Sequence, residues 1–330
     1  MEKLVSIITP CYNGEKYIDR YAKSLLNQKY SNCQIIFMDD GSTDNSKEKI
    51  MKYKADFENK GFTFEYHYHE NIGIGGTIAK AVHHVVGDYL TWPDVDDTLT
   101  PDSIIKKVEF LEKYPEYGLV RTDFTKVYDD APDVIIERGT QKYPNRWKED
   151  LFEDYLFSNQ AWLQGGCFLV RMSSFLEANP ERYVYPTRRG QNWQMLLPLL
   201  YKFKCGYIDE PLYYYFLREG SLSDINNETY DDRIKKYELY EELIIDTINH
   251  MHIPESEKKS YIEQVTCHYI KEKISHAFFK NNRKEAQKYY KKLKEHGVKD
   301  RNSCIKSWIT GTVLSQIYMK LRTKDATGKK

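Results

Sequence analysis

The sequence predicts an α/β fold in which a mostly parallel central sheet is followed by a C-terminal helical region. Buried strand-like runs alternate with segments whose apolar residues recur at helical spacing, which is the pattern of strands joined by crossover helices. Three of the predicted strands end in polar clusters. From about Asp231 onward the chain is helical and charged, so we place a boundary near Asn226, between domains of residues 1–225 and 226–330.

The first half of the chain alternates strands and helices in a regular order. Its predicted strands share buried β-branched or alternating aromatic runs, at residues 4–9, 35–38, 62–68 and 87–92. Its predicted helices share apolar residues three or four positions apart, at residues 17–28, about 46–57 and 73–86. The segment 43–45 can cap the second helix. Strands and helices in this order imply parallel pairing through right-handed crossovers.

The second half is less regular. After residues 119–123, its predicted elements are a loop at 129–145 with a short strand at 134–136, a glycine-led strand at 164–171, an apolar helix at 193–203 and a strand pair or extended run at 207–218. Pro198 lies inside the helical pattern and should interrupt that helix, because proline cannot donate the backbone hydrogen bond.

The fourth predicted strand runs into three aspartates, Asp94, Asp96 and Asp97. Pro93 lacks a backbone donor, so we expect the strand to stop there. In an extended segment, residues two apart face the same side, and Asp94 and Asp96 would repel each other unless a cation or a proton lies between them. A hard divalent cation such as Mg²⁺ or Mn²⁺ suits these oxygen ligands. The alternative is an acidic turn before a helix that begins at Pro101.

Polar clusters at the ends of three predicted strands indicate a binding site. They lie at residues 10–13, 39–42 and 94–97. Ligands of open α/β sheets bind at the carboxyl ends of the strands, and the fold would bring all three clusters to one rim. Their convergence favours a site more strongly than any one cluster does.

Composition places the chain among ordinary globular proteins. Its 330 residues, 41% hydrophobic and 14% aromatic, suffice for one large domain or two smaller ones. The six cysteines include no Cys-x-x-Cys pair and indicate neither a zinc site nor a disulfide framework, so we expect a reducing compartment. No signal peptide is expected, and no apolar run is long enough to span a bilayer.

Charge is unevenly placed along the chain. Residues 271–330 contain 17 Lys or Arg and 5 Asp or Glu, a net charge of +12, and the remainder carries −12. A basic tail on an acidic body predicts a partner surface for the tail, such as anionic lipid.

Four blocks of the sequence resemble one family in order and spacing. They are Val5–Asn13, Met38–Asp44, Asn71–Gly73, and Gly87–Tyr89 leading to Asp94–Asp97. Together they look like the inverting family-two glycosyltransferases of the GT-A fold, of the type found in bacterial polysaccharide synthesis. The resemblance covers about residues 4–225 and is weakest between residues 129 and 161. It implies an enzyme of the hexosyltransferase type that moves a sugar from a nucleotide-diphosphate sugar, often UDP-linked, to an acceptor hydroxyl.

The resemblance also implies roles for residues at the first two strand ends. Pro10, Tyr12 and Asn13 would line the nucleotide pocket. Asp40 would hold the base or ribose edge, with Asp39 nearby.

The later blocks would hold the diphosphate and the metal. Asp96 would ligate the Mn²⁺ or Mg²⁺ that bridges the diphosphate, and Asp94 would contact the ribose or the sugar. A dication there would stabilise the charge that grows on the leaving diphosphate. Arg218, in a segment followed by Ser221 and Ser223, resembles a late arginine of the family that grips the diphosphate; the alternative is a surface arginine.

Two positions depart from the family pattern. The arginine expected in the helix after Asn71–Gly73 is replaced by Ile78, with Lys80 nearby. The aspartate expected as general base is replaced by Asn192, whose amide cannot accept a proton at neutral pH. We expect Asn192 and Gln191 to orient the acceptor while another group takes the proton. Candidates for that group are Asp123, Glu153, Asp154 and Glu210.

Two readings of the function remain open at this point. The leading hypothesis is a metal-dependent glycosyltransferase of the cytoplasm whose acceptor is a saccharide or a lipid-linked saccharide in surface polysaccharide synthesis. The alternative, motivated by Asn192, is a non-catalytic sugar-nucleotide-binding protein. A nucleotidyltransferase is disfavoured because residues 10–13 do not resemble a glycine-rich phosphate loop, and no nucleic-acid partner is expected.

The C-terminal tail contains a candidate membrane-binding helix. Its apolar residues recur at spacings of three and four, at Ile305, Trp308, Ile309, Val313, Ile317 and Leu321, and basic residues flank them. An apolar face with a tryptophan and a basic margin is typical of a helix in the membrane interface. Such a helix would hold the enzyme on the inner face of the cell membrane. The alternative is that this face packs on the protein itself.

Overall fold

The computed structural model describes residues 2–158, 162, 164–188, 190–218 and 229–317. Contacts divide the chain into two units, residues 1–224 with 250–252 and residues 225–249 with 253–330. The first unit contains the sheet, and the second is helical in its described residues.

Nine strands form one sheet in the described residues of the first unit. They are β1 Val5–Cys11, β2 Cys33–Asp39, β3 Thr63–Tyr68, β4 Tyr89–Thr91, β5 Thr98–Leu99, β6 Tyr117–Tyr128, β7 Ile135–Arg138, β8 Phe168–Arg171 and β9 Lys204–Leu217. Their order is β3-β2-β1-β4-β8-β6-β9-β5, with β7 paired to β6.

The first four strands lie where the residue pattern predicts them, and they pair in parallel. β1 and β2 are buried along their whole length because helices cover both faces of a parallel sheet. Their register runs from Val5 opposite Cys33 to Cys11 opposite Asp39, so the two strands end together. β4 pairs with β1 on its other side. The polar residues after β1 and β2 therefore leave the sheet at one edge.

The second half adds antiparallel pairings that the residue pattern does not reveal. β8 lies between β4 and β6 and is antiparallel to both. β6 and β9 form a long parallel pair. The short strands β5 and β7 are antiparallel to β9 and β6 respectively. The result is a mixed sheet whose parallel core is N-terminal.

Eight helices accompany the sheet in the described part of the first unit. They are α1 Glu15–Leu26, α2 Ser46–Lys52, α3 Lys54–Asn59, α4 Ile74–Ala81, α5 Ser103–Lys113, α6 Phe152–Leu156, α7 Met172–Ala178 and α8 Gln191–Lys202. The predicted helix at about 46–57 is divided at Tyr53, and α4 ends at Ala81, earlier than predicted. α8 continues through Pro198, so the predicted interruption is wrong.

The start of α4 meets the segment that precedes α8. A Cβ on Gly75 would lie 2.3 Å from the Thr187 carbonyl oxygen, so only glycine fits there. The Gly76 amide donates to the same oxygen at 3.2 Å. This close approach fixes the position of Thr187 and, with it, that of Arg188.

The second unit contains α9 Tyr230–His250, α10 Glu255–Phe279, α11 Arg283–Glu295 and α12 Arg301–Ile309. α10 and α11 share an apolar core made by Cys267, Ile270, Ile274, Tyr289 and Leu293. The apolar residues of each helix recur at helical spacing because they lie on the face that packs against the other helix.

A single amphipathic helix from residue 305 to 321 is wrong for the described residues. α12 ends at Ile309, and Gly311, with a φ of +79°, separates it from a second helical segment at residues 313–317. Trp308, Val313 and Ile317 are exposed, whereas Ile309 is half-buried. Leu321 and the last basic residues lie outside the described residues.

Candidate functional site

Asp39, the last residue of β2, is buried, and each of its carboxylate oxygens accepts a hydrogen bond. Its Oδ1 accepts from the Ser42 amide at 2.8 Å, and its Oδ2 accepts from the Tyr66 hydroxyl at 2.6 Å. Tyr66 lies on β3, so the carboxylate joins the turn after β2 to the neighbouring strand. Asp39 therefore shapes the rim of the sheet.

Asp40 anchors the loop that leads into α4. Its Oδ1 accepts from the Ile72 amide at 2.7 Å, and its Oδ2 accepts from the Gly73 amide at 3.0 Å. The Asn71 Nδ2 donates to the same Oδ2 at 3.2 Å. Only 4% of Asp40 is exposed. Both oxygens are thus committed to the protein, which leaves little of the carboxylate for a base or a ribose.

The three residues predicted to line the nucleotide pocket differ in their surroundings. Pro10 is buried in β1. Asn13 has a φ of +48°, and its Oδ1 accepts from the Thr43 amide at 2.8 Å, which ties the turn after β1 to the turn after β2. Tyr12 is 53% exposed, so its ring is available to a planar ligand.

The aspartates after β4 have electrostatically strained surroundings. Burial and the nearby Asp96 carboxylate raise the pKa of Asp94 to about 7, although the Arg218 guanidinium opposes the shift. Burial and the nearby carboxylates of Asp96 and Asp94 raise the pKa of Asp97 well above its ordinary value. Asp97 accepts from the Tyr213 hydroxyl at 2.8 Å and from the Phe216 amide at 2.9 Å. These two bonds join the aspartate turn to the end of β9.

Arg218 is brought to the aspartates by the end of β9. Its Nη2 lies 2.7 Å from Asp96 Oδ2, and its guanidinium lies 4.6 Å from the centroid of the Tyr17 ring. The ion pair and the ring contact hold a half-buried cation against the carboxylate that was predicted to bind the metal. Ser221 and Ser223, which follow it, lie outside the described residues.

Arg20 of α1 supports the same turn, and sequence reasoning missed it. Its Nη2 donates to the Asp96 carbonyl oxygen at 2.6 Å, and its Nη1 donates to Asp129 Oδ1 at 2.9 Å. Its guanidinium also stacks on the Phe216 ring at 3.5 Å. No local pattern distinguishes this arginine from one on the surface, because all three partners are distant in sequence.

Asn192, in the first turn of α8, is joined to the end of β4. The Trp92 Nε1 donates to Asn192 Oδ1 at 2.6 Å, and Trp92 comes two residues before Asp94. Among the described residues, the amide nitrogen of Asn192 has no hydrogen-bond partner. Gln191 is buried at the start of the same helix. The asparagine is therefore held by its oxygen, with its N–H groups left to donate.

Three of the four candidate proton acceptors form ion pairs with arginine or lysine side chains. Asp123 is fully buried and lies 2.7 Å from Arg138. Asp154 lies 2.5 Å from Lys148, and Glu210 pairs with Lys106. The remaining candidate, Glu153, is exposed on α6.

The position of the missing family arginine is apolar, and a different arginine lies nearby. Ile78 is completely buried in α4. Arg188, in the segment fixed by Gly75, donates from Nη2 to Asn71 Oδ1 at 2.6 Å, and Asn71 in turn donates to Asp40. Arg188 is exposed, so it places a guanidinium at the edge of the predicted nucleotide pocket. The sequence gives no signal for this, because the contact depends on how residues 185–188 cross α4.

The donor set beside Arg218 fits a hard divalent cation. Asp94 and Asp96 offer carboxylate oxygens, and the mutual repulsion of these two groups would be relieved by a cation between them. Two carboxylates leave coordination positions for water and for the oxygens of a phosphorylated ligand, as is usual for Mg²⁺.

Within the residues that the structure describes, no helix combines the length and the apolar character needed to cross a membrane.

Comparison with known proteins gives one family match. The family described as "Glycosyl transferase family 2" matches residues 6–178. A curated relative, "Uncharacterized glycosyltransferase RC0461" of Rickettsia conorii, is 36% identical over 141 residues, which are 40% of this chain and 22% of the relative. The chain spans only 20% to 41% of the length of the first four curated relatives it matches.

Solved structures share the fold. S. aureus TarS 1-349 in complex with UDP-GlcNAc matches with a TM-score of 0.61 and 18% identity, over 86% of this chain and 80% of that one. The mannosyltransferase PcManGT from Pyrobaculum calidifontis, in complex with GDP-Man and Mn2+, matches with a TM-score of 0.59 and 13% identity, over 100% and 82%. These likenesses, with the family match, confirm the predicted GT-A-type α/β fold and its C-terminal helical region.

Proposed function

Because the chain belongs to glycosyl transferase family 2, we propose that it is a metal-dependent inverting glycosyltransferase. It moves a sugar from a nucleotide-diphosphate sugar, UDP-linked, to a hydroxyl of a saccharide or lipid-linked acceptor in surface polysaccharide synthesis. The donor class is supported by structural neighbours in complex with UDP, UDP-GlcNAc and GDP-Man. The metal is supported by the neighbour that contains Mn2+.

One observation carries the proposal, namely the ion pair of Arg218 with Asp96 beside the protonatable Asp94. The guanidinium lies 2.7 Å from the carboxylate and partly neutralises the aspartate turn. Guanidinium groups bind phosphate as readily as carboxylate. A donor diphosphate that arrives with a divalent cation would therefore exchange partners with this pair, the cation going to Asp96 and Arg218 going to the phosphate oxygens.

When bound, Mn²⁺ or Mg²⁺ supplies neutralising charge for the leaving diphosphate. The chain's residues do the rest of the positioning. Asp96 would hold the cation and Asp94 would contact the ribose or the sugar. Arg20 fixes the turn through the Asp96 carbonyl oxygen. Tyr12 offers a ring to the base, and Arg188 donates at the edge of the same pocket. Asp39 and Asp40 build the wall of that pocket rather than contact the nucleotide directly.

The acceptor binds at the start of α8. Asn192 is fixed through its oxygen by Trp92, so its N–H groups donate to an acceptor hydroxyl oxygen, and Gln191 shapes the same end of the helix. An inverting reaction is a single displacement at the anomeric carbon, which requires the hydroxyl to approach from the face opposite the diphosphate. Asn192 orients the hydroxyl for this approach and does not take its proton. The proton would pass to a carboxylate, and of the four predicted acceptors Glu153 is the one without a cation partner among the described residues.

Turnover tests the proposal directly. The purified chain is incubated with a panel of UDP-sugars, Mn²⁺ and oligosaccharide acceptors, and UDP release is measured with and without a chelator. We expect release that depends on both acceptor and metal. Calorimetry that detects no nucleotide-sugar binding, with or without metal, would refute the proposal.

The non-catalytic alternative makes a different prediction from the same pocket. It rests on the absence of a carboxylate at Asn192 and predicts nucleotide-sugar binding without turnover. Binding data therefore cannot separate the two functions, whereas acceptor-dependent UDP release excludes the alternative. Retention of Asp94, Asp96 and Arg218 together favours the enzyme, because a protein that only binds the donor does not need to stabilise a leaving diphosphate.

We also propose that the C-terminal tail holds the enzyme on the inner face of the cell membrane, beside a lipid-linked acceptor. Trp308 is 65% exposed and Val313 is 71% exposed, and the last 60 residues carry a net charge of +12. Exposed apolar groups with basic residues favour an anionic membrane interface, at about 1 kcal/mol per basic residue near the surface. Flotation with anionic vesicles should fall when Trp308→Ser and Val313→Ser are combined. Equal flotation of both proteins, or none by either, contradicts the tail as an anchor.

A further inference from the structure

A group of metal-ligating side chains lies at the edge of the sheet, apart from the aspartate turn after β4. Glu65 and His67 are two residues apart on the edge strand β3, so their side chains face the same side. His84 follows α4, in the connection to β4. Each of the three side chains is half-buried.

The three potential ligand atoms are close enough to share one ion. All lie within 4.8 Å of one another. His67 Nε2 and Glu65 Oε2 are 2.9 Å apart, and the rings of His67 and His84 are 3.9 Å apart between centroids. Two ligands of a tetrahedral zinc ion are separated by about 3.3 Å, given zinc–ligand distances of about 2.0 Å. Small side-chain rotations suffice to bring the trio to that geometry.

A neighbouring glutamine holds two members of the trio in place. Gln34 Nε2 donates to Glu65 Oε1 at 2.6 Å and to the His84 carbonyl oxygen at 3.0 Å. Gln34 is itself fixed, because its Oε1 accepts from the Ser6 hydroxyl at 2.5 Å and from the Val86 amide at 3.2 Å. Outer hydrogen bonds of this kind orient the ligands of protein metal sites and tune their affinity.

The charges of the trio also suit a cation. His67 and His84 offer ring nitrogens, and an imidazole nitrogen is among the commonest ligands of zinc. Glu65 adds an acidic side chain whose Oε2 lies beside His67 and whose Oε1 is held by Gln34. One shared dication would interact favourably with both imidazoles and with the carboxylate.

We propose that Glu65, His67 and His84 bind a divalent transition-metal ion of the Zn²⁺ type. Two imidazoles and one carboxylate form a ligand set that zinc accepts, with water in the fourth position. Hard cations such as Mg²⁺ prefer sites made of oxygen alone, so this site and the aspartate turn differ in the ions they select. The ion joins the edge strand β3 to the connection between α4 and β4 and stabilises the edge of the sheet.

Calorimetry with ZnCl₂ on the chelator-treated full chain, in excess Mg²⁺, tests the site. A second trio, Glu263, Cys267 and His296, also has clustered ligand atoms, so titrations use a His296→Ala background. We expect one saturable Zn²⁺ site whose affinity falls at least about 10-fold in His84→Ala, the size of loss reported for perturbing even the outer hydrogen bonds of such sites. His83→Ala removes an exposed neighbouring histidine and is the matched control, which should leave the affinity unchanged.

Two further measurements separate the site from the aspartate turn and from misfolding. Zn²⁺ should raise the melting temperature of the His296→Ala protein but not that of the same protein with His67→Ala, since a ligand stabilises only the fold that binds it. Asp96→Asn should leave Zn²⁺ binding intact. Absence of saturable binding, unchanged affinity in His84→Ala, or equal losses in His84→Ala and His83→Ala would each overturn the proposal.

Discussion

Two pairs of aspartates lie at the ends of β2 and β4, in the parallel part of the sheet, and their electrostatic surroundings differ. Asp39 and Asp40, at the end of β2, accept hydrogen bonds from backbone amides, a tyrosine and an asparagine. Asp94 and Asp96, after β4, repel each other electrostatically, and Asp96 is paired with Arg218. Hydrogen-bond donors of the protein contact every carboxylate oxygen of the first pair. In the second pair, one arginine offsets only part of the negative charge.

The difference separates a structural role from a ligand-binding role. A carboxylate saturated by protein donors has little left to offer a ligand, and removing it leaves buried donors unsatisfied. A carboxylate whose charge is opposed by its neighbours gains free energy when a cation arrives. We therefore propose that the aspartates after β2 stabilise the fold and that those after β4 bind ligand, so substitutions should affect stability at the first pair and activity at the second.

The largest effect is expected for Asp96→Asn. We expect turnover to fall about 10²–10³-fold, the usual loss on removing one electrostatic stabiliser of the transition state. Metal-dependent donor binding should be lost, while the free energy of unfolding changes by about 1 kcal/mol or less, because the Arg218 pair is partly exposed. Metal-dependent UDP release and urea unfolding measure the two quantities.

Asp102→Asn is the matched control for that substitution. Asp102 follows the same turn but is bound to Lys29 at the surface. It should leave turnover unchanged. A comparable loss in both variants, or unfolding of Asp96→Asn at room temperature, would contradict the assignment of Asp96 to the ligand rather than to the fold.

Asp40→Ala should show the reverse pattern. The substitution leaves the Ile72 and Gly73 amides without their acceptor, so we expect the protein to lose about 2–3 kcal/mol of stability. Urea unfolding measures this loss, with Asp56→Ala, at an exposed position of α3, as the control. Donor affinity of the remaining folded protein should change less than its stability. A stable variant that no longer binds the donor would show that Asp40 contacts the nucleotide after all.

The residue pattern could predict the parallel strands and the convergence of their polar ends. Hydrophobic runs and turn residues are local signals, and the carboxyl ends of parallel strands must share an edge. It could not predict how each carboxylate is used. Asp39 is satisfied by Tyr66, and Asp40 by residues 71–73, through contacts that exist only once the loops are placed.

The features that sequence reasoning missed depend on distant segments. The antiparallel β8 enters between β4 and β6 and brings no periodicity of its own. Arg20 and Arg188 form their hydrogen bonds with Asp96 and Asn71, which are distant from them in the sequence. The predicted tail helix is wrong because the spacing of apolar residues continues across Gly311, where the backbone is left-handed. A helical spacing of apolar residues does not by itself show that one continuous helix contains all of them.

The pH dependence of stability should differ in sign between the two strand ends. The pKa of Asp94 is raised to about 7, so the folded protein binds more protons than the unfolded chain between about pH 4 and 7. Its contribution to stability therefore falls as the pH rises through that range. For Asp44, burial alone would raise the pKa, but hydrogen bonds from Ser46 and from the Glu15 amide lower it, so its contribution is lost as the pH falls below about 4.

Unfolding by urea at a series of pH values, with a chelator present, tests these signs. Asp94→Asn should gain stability relative to the unsubstituted chain as the pH rises from 4 to about 7. Asp44→Asn should be less stable than the unsubstituted chain by a constant amount over that range, and the difference should shrink as the pH falls below about 4. Parallel curves for the Asp94→Asn and unsubstituted proteins would mean that Asp94 is not electrostatically strained.

The smallest effect, and the sharpest test of the acceptor side, is expected for Asn192→Asp. The new carboxylate can still accept from the Trp92 indole, which lies 2.6 Å from the present amide oxygen, so the helix start should keep its position. A carboxylate there can take the acceptor proton, but the indole N–H lowers its basicity, so we expect a rise in turnover of only about 10-fold, below the full range of general-base catalysis. Donor affinity should not change.

Asn192→Ala is the companion variant: it removes the oxygen that Trp92 holds and should lower turnover while leaving donor binding intact. If donor affinity falls as much as turnover in Asn192→Ala, or if Asn192→Asp is slower than the unsubstituted chain, Asn192 does not face the acceptor hydroxyl.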